Sequence, residues 1–228
     1  MVGPGTFLWR MARIVTRVNV VDAHNLDILD QPGPAMIIIN HTTVVDVIVT
    51  VGNLHKLGFT TDGPCEGACT HRRHIRPLGT SDMWDFPVAR QVCTGSGIIP
   101  VDQHDGRPAL KAAREAIRNG ECVLIYPEGD VKINAEASPR DFRPGAAGLA
   151  KAGDVTVVPI AQHDSRKLGN GSVLRSIVMA FAAVFRRPKI EMRVGTPVLP
   201  AALADLTHPE VNTLLEERLR LTWRAIPK

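Results

Sequence analysis

The sequence predicts a single α/β domain, with a mainly parallel central sheet flanked by helices. Three observations carry this expectation. Short apolar runs of strand length alternate with segments of helical period along the chain. The runs "AMIIIN", "CVLIYPEG" and "VTVVPIA" read as buried strands bounded by turn-forming residues. At 228 residues, with 44% hydrophobic and 22% charged side chains, the chain can bury a sizeable core and is too apolar for a disordered one.

Taken in order, residues 7–18 predict a basic amphipathic helix. Phe7, Met11, Ile14, Val15 and Val18 recur at helical spacing, and Leu8 widens that face. Arg10, Arg13 and Arg17 gather opposite, with Trp9 at the boundary. The pattern fits a helix lying in a membrane interface, and equally a surface helix packed on the domain. The chain therefore divides into an N-terminal amphipathic segment, 1–30, and an α/β domain, 31–228. Within the domain "AMIIIN" follows "QPGP" as the first strand. "TVVDVIVTVGNLHKLG" reads two ways: its β-branched residues favour a strand, its length and Gly58 a helix. "GIIPVD" is a short strand. "DGRPALKAAREAIRNG" is a helix, with Pro108 near its start, a stripe of Leu110, Ala113, Ala116 and Ile117, and Gly120 at its stop. The strands "CVLIYPEG", "VTVVPIA" and "KIEMRVGTPV" follow. "THPEVNTLLEERLRLTW" closes the chain as a helix, opened by Thr207 and Glu210 in capping-box spacing.

The net charge of +4 suits an anionic partner, whether lipid headgroup, nucleic acid or phosphorylated substrate. With 4% aromatic residues and one tyrosine, a base-stacking surface is poorly supplied, so no nucleic-acid partner is expected. Neither a P-loop nor a G-x-G-x-x-G occurs. The N-terminus lacks the continuous apolar core of a signal peptide. No run approaches the roughly 20 apolar residues of a membrane span. The longest, "IVMAFAAVF", is flanked by Arg175, Arg186 and Arg187 and reads as core or as a second lipid contact. Cys65, Cys69, Cys93 and Cys122 are expected as free thiols. Cys65, Cys69, His71 and His74 could hold zinc, but C-x3-C-x-H-x2-H matches no familiar zinc module, so neither metal nor bound cofactor is expected. Arg72, Arg73 and Arg76 are expected to form a basic face toward a membrane or a phosphorylated donor.

In open α/β sheets, sites gather beyond the carboxyl ends of the strands. "NHTTVVD" and "YPEGD" both fall there. His41 and Asp46 would meet poorly on one regular helix, where five residues turn through about 140°. They can approach if His41 lies in the loop before a helix and Asp46 in its first turns. A carboxylate on one imidazole nitrogen fixes the tautomer and leaves the other nitrogen to act as a base toward a hydroxyl. Thr42 and Thr43 could cap the helix. An isolated H-x-x-x-x-D is also what a strand-end histidine with local hydrogen bonds and a solvated aspartate would look like.

The motif is not isolated. "NHTTVVD", "IIPVD", "YPEG" and "VVPIA", in that order, resemble the lysophospholipid and glycerol-phosphate acyltransferase family across residues 35 to 200. "HRRHIRPLG", "FRPGAAGLA" and "RRPKIEMRVGTPV" resemble its intervening segments. The resemblance implies a glycerol-3-phosphate acyltransferase-like fold. His41 would be the general base and Asp46 its orienting partner. The donor would be acyl-CoA or acyl carrier protein, a co-substrate rather than a cofactor. No cysteine matches a family nucleophile. Glu128 and Gly129 would help bind the acceptor, and Tyr126 in place of the usual phenylalanine is expected to change little.

The departures bear on the acceptor. Gln103 stands where the family has arginine, and Asp130 and Val131 where it has threonine and arginine. Arginine suits forked phosphate contacts, and an aspartate repels phosphate. So either Lys132, Arg140 or Arg143 substitutes and the acceptor is a lysophospholipid such as lysophosphatidic acid, or the acceptor is another alcohol or amine from a specialised pathway. The competing reading is an inactive acyltransferase fold serving as a membrane or anionic-ligand binding module. Attachment to the cytoplasmic face of an anionic membrane is expected.

Overall fold

The computed structural model describes residues 4–43, 46–61, 72–130, 138–163, 179 and 182–226. The elements in chain order are α1 (Pro4–Val15), β1 (Arg17–Val21), a 3-10 segment (Ala23–Asp30), β2 (Ala35–Ile39), α2 (Asp46–Lys56), β3 (Phe59–Thr60), β4 (Arg73–Thr80), α3 (Pro87–Gly95), β5 (Ile99–Val101), α4 (Arg107–Arg118), β6 (Cys122–Ile125), α5 (Gly145–Lys151), β7 (Thr156–Gln162), β8 (Lys189–Val194) and α6 (His208–Arg224). They build one eight-stranded sheet in the order β1-β8-β7-β2-β6-β4-β3, with β5 against β4. Strand β8 is antiparallel to β7, and the other pairs are parallel. The expected fold class is the observed one.

Strand β2 is central because all five of its residues are apolar and at most 2% exposed. Alternation sends Met36 and Ile38 to a core under α4, α5 and α6. Ala35, Ile37 and Ile39 face a second core under the 3-10 segment, α2 and α3. The ambiguous segment after β2 is helical. Val47, Val51 and Leu54 of α2 pack on the sheet, while Val49 joins Ala183 and Ile190 beside Val15. Helix α1 packs against α2. A helix covered on both sides needs apolar residues all round, which explains its strand-like composition.

Two expectations change. The N-terminal helix stops at Val15, and Arg17 and Val18 begin β1, paired with Lys189 and Ile190. Residues 17–30, placed above with the N-terminal segment, supply this strand and the buried Leu26 and Leu29. The second change concerns "HRRHIRPLG", whose last residues form β4 instead of an outward basic face. Arg72 pairs with Asp30 at 2.6 Å and Asp27 at 2.7 Å. Arg73 donates to the Gly120 carbonyl at 3.0 Å, and Arg76 to the Gly97 carbonyl at 2.6 Å. His74 meets Glu121 at 2.7 Å. These side chains tie neighbouring loops to the strand. Cys65, Cys69 and His71 lie outside the described residues, and among the described residues no three potential ligands cluster for a metal. Among them too, no helix is long and apolar enough to cross a membrane.

Helix α6 opens as its sequence predicts, with the Thr207 N–H donating to the Glu210 carboxylate at 2.7 Å. Its far end closes over Gly195, whose N–H donates to the Pro159 carbonyl at 2.8 Å. A Cβ at Gly195 would lie 3.0 Å from Pro159 Cγ and closer still to the Thr222 hydroxyl. Gly195→Ala should therefore destabilise the fold by about 1–3 kcal/mol, the usual cost of overpacking, read by urea unfolding. A loss below about 0.5 kcal/mol would contradict this close approach.

Candidate active site

The parallel registers of β2, β6 and β7 bring the carboxyl ends of three central strands together. Ile38 lies beside Ile125 on one side and Pro159 on the other, and Ile39 beside Ile160. Asn40, Tyr126 and Gln162 therefore emerge together. The Asn40 amide donates to the Gln162 carbonyl at 3.0 Å, and the Gln162 N–H donates to the Asn40 side-chain oxygen at 2.7 Å. This reciprocal pair closes the end of β2 onto β7 and fixes where the following residue starts.

That residue is His41. Its Nδ1 lies 3.0 Å from Asp46 Oδ2. Asp46 is the first residue of α2, so the pair spans the loop-to-helix junction as the spacing requires. The Asp46 side chain is fully buried, and the imidazole keeps 14% exposure. The same Oδ2 accepts the backbone N–H of Thr42 at 2.5 Å and of Thr43 at 2.8 Å. Thr42 and Thr43 thus donate from the loop backbone to the helix's first side chain, and the Thr42 hydroxyl adds a bond to Asp46 Oδ1 at 3.3 Å. A carboxylate so held favours a proton on His41 Nδ1, which leaves Nε2 with its lone pair.

Tyr126 stacks on the imidazole, ring centroids 4.3 Å apart and 27° from coplanar. Its hydroxyl donates to Thr50 Oγ1 at 3.2 Å, and Thr50 donates to Gln162 Oε1 at 3.4 Å. Burial pushes the phenol pKa far up, and the nearby Asp46 charge adds to it, so the hydroxyl stays a donor. The exchange of phenylalanine for Tyr126, expected to change little, adds a hydrogen-bonded tie from β6 to α2. Sequence reasoning missed Asn40 and Gln162, and the signal that could have found them is a polar residue at the end of an apolar strand. Thr50 left no such mark.

Glu128 forms the second wall. Its buried carboxylate accepts the His41 backbone N–H at 3.1 Å and Arg140 Nε at 3.1 Å. Burial raises its pKa above the ordinary glutamate value, against the lowering pull of those two donors. Gly129 turns the chain at φ +75°, where a Cβ would also collide with the Arg143 side chain. Arg140 bonds both the carbonyl and the carboxylate of Asp130. Arg143 is 55% exposed and lies 3.8 Å from Asp130. Thus Glu128, Gly129, Asp130, Arg140 and Arg143 assemble beside His41. Gln103 is exposed beyond β5, with its amide 3.5 Å from Thr80 Oγ1. No hydrogen bond among the described residues joins it to this cluster. Lys132 and Val131 lie outside the described residues. Cys93 and Cys122 are buried free thiols, and burial pushes Cys122 up to about 12, which keeps it a thiol at neutral pH.

A buried carboxylate on a partly exposed imidazole is the equipment for deprotonating a hydroxyl. The family model described as Acyltransferase matches residues 20–163, more than half of the chain. The chain belongs to the acyltransferase family. It is therefore an acyl-transferring enzyme, working between an acyl donor and a lipid acceptor. The acyltransferase is also similar in fold to a solved structure, the 1-acyl-sn-glycerophosphate (LPA) acyltransferase PlsC from Thermotoga maritima. That match has a TM-score of 0.66 at 15% identity, over 95% of this chain and 77% of the other. No curated protein matches the sequence.

Asp46→Asn should keep the shape of the site but lose the anion that accepts from His41, Thr42 and Thr43. Acyl turnover should fall by about 10²-fold or more, with little change in KM. Tyr126→Phe keeps the stack and removes one hydrogen bond, so thermal unfolding should show a loss of about 1 kcal/mol. Glu128 gives a pH signature. Its folded pKa lies above its unfolded value, so the native state binds the extra proton between the two. Wild-type stability should fall, relative to Glu128→Gln, as pH rises through that window from the ordinary glutamate value upward. Parallel pH profiles for the two proteins would contradict the burial argument.

Proposed function

We propose that the enzyme transfers a fatty acyl group from acyl-CoA or acyl carrier protein to a hydroxyl, with His41 as general base and Asp46 as its positioning residue. His41 Nε2 takes the acceptor's proton as its oxygen attacks the thioester carbonyl. The tetrahedral intermediate collapses, and the departing thiolate takes that proton from the imidazolium. No enzyme nucleophile is needed, because the thioester is already activated. The observation that carries this reading is the His41–Asp46 contact, anchored by the Thr42 and Thr43 N–H groups.

The acceptor follows from the loop that carries Glu128, Gly129 and Asp130. Asp130 and Glu128 already neutralise Arg140, and Asp130 stands near Arg143. A phosphomonoester placed there would compete with two carboxylates. This favours a hydroxyl acceptor whose recognition at this loop does not require a phosphate. The second reading is lysophosphatidic acid, the acceptor for which the Thermotoga enzyme is named, held through the exposed Arg143. Exposed Phe7, Met11 and Ile14 on α1, with Phe185 at 91% exposure, support peripheral attachment to an anionic membrane.

The test is mass-spectrometric product analysis with an acyl-CoA panel, acyl carrier protein, lysophosphatidic acid and phosphate-free alcohols. His41→Ala should lower transfer by about 10²–10⁴-fold for every accepted pair. Asp130→Thr should raise use of lysophosphatidic acid relative to the phosphate-free acceptors. Transfer that survives His41→Ala would overturn the mechanism. Preference of the wild type for lysophosphatidic acid would establish the second reading.

A further inference from the structure

A cavity of about 390 Å³ opens at the last turns of α1 and α2, beside the start of β1. It is distinct from the His41 cluster. Lys56 lies ten residues beyond Asp46 along α2, about 15 Å at helical rise. Its wall carries four cations, Arg13, Arg17, Lys56 and Arg187, and among the described residues no carboxylate. The Arg187 guanidinium donates to the Arg13 carbonyl at 2.9 Å, which binds the loop before β8 to the end of α1. Two helix C-termini contribute about −0.5 charge each, roughly one negative charge against the side chains of Arg17, Lys56 and Arg187 alone. The surplus calls for an anion.

A second observation points the same way. Thr16, 3% exposed, lines the cavity, and among the described residues its Oγ1 has no hydrogen-bond partner. A buried hydroxyl left unpaired is unfavourable, and an acceptor oxygen in the cavity would remove that cost. Asn53, also buried, stands beside it. The volume lies at the lower end for small-ligand sites. The helix that supplies Arg13 also exposes Phe7, Met11 and Ile14, and Arg187 follows the exposed Phe185. Apolar side chains able to enter a lipid layer thus stand on the elements that carry the cations.

We propose that this cavity binds the phosphate of an anionic phospholipid headgroup, separately from acyl transfer. The idea rests on the peripheral attachment proposed above. It adds a defined phosphate site to that attachment, in place of a diffuse positive field.

The test uses the full chain and sedimentation with vesicles of phosphatidylcholine alone or mixed with phosphatidylglycerol. Arg17→Gln/Lys56→Gln should lose about 30-fold in affinity for the mixed vesicles, at roughly 1 kcal/mol per basic contact. Lys111→Gln/Arg114→Gln, an equal charge loss on exposed positions of α4 across the sheet, should lose less than about threefold. Thr16→Val, which changes no charge, should bind severalfold more weakly without loss of thermal stability. Equal losses from the two double variants, or no effect of Thr16→Val, would overturn the site while leaving membrane attachment intact. No vesicle binding by the wild type would overturn attachment and this lipid site together. In that event thermal stabilisation by glycerol phosphate, lost in Arg17→Gln/Lys56→Gln, would assign the cavity to a soluble phosphate instead.

Discussion

The arrangement around His41 depends on one buried carboxylate. Asp46 is sealed from solvent at the first residue of α2, and a single oxygen gathers His41, Thr42 and Thr43. Burying an unpaired carboxylate would cost several kcal/mol. Here charge-assisted hydrogen bonds and the positive end of a helix offset that cost. The same contacts fold residues 41–43 into a tight loop and aim one imidazole nitrogen inward. The local backbone and the candidate base are therefore one structure, and the loop cannot relax without releasing the imidazole.

The sheet sets the distances that this loop needs. Parallel pairing of β2 with β6 and β7 brings the carboxyl ends of all three strands together, so residues far apart in sequence meet without long side chains. Asn40 and Gln162 lock two of those ends, and Tyr126 leans from the third onto the imidazole. Glu128 then reaches back to the His41 N–H, so both walls of the site grip the same residue. The His41 side chain is fixed from its backbone, its Nδ1 and its ring face.

Much of this was legible in the sequence where local signals agreed. β2, β6 and β7 announced themselves as short apolar runs, and α4 and α6 as periodic segments with clear starts and stops. His41 and Asp46 were legible because "NHTTVVD" stands first in an ordered series of blocks, since their spacing alone also fits a strand-end histidine with a solvated aspartate. β4 was not, because Arg73, His74, Arg76 and Pro77 mask it. Its charges are satisfied by Gly120, Gly97 and Glu121, partners that only the fold brings near. The end of α1 was misplaced because Val18 continues a helical stripe while pairing as a strand with Ile190. The Asp130–Arg140 contact was hidden too, since nothing in a ten-residue separation says that the loop doubles back.

The central claim is that Asp46 holds His41 with its proton on Nδ1 and its lone pair on Nε2. Nitrogen NMR on protein labelled at its eight histidines reads this directly. The His41 signals can be assigned by their loss in His41→Gln. The account predicts that neutral His41 is the Nδ1–H tautomer in the wild type and loses that preference in Asp46→Asn. A wild-type His41 protonated on Nε2, or a tautomer unmoved by Asp46→Asn, would contradict it.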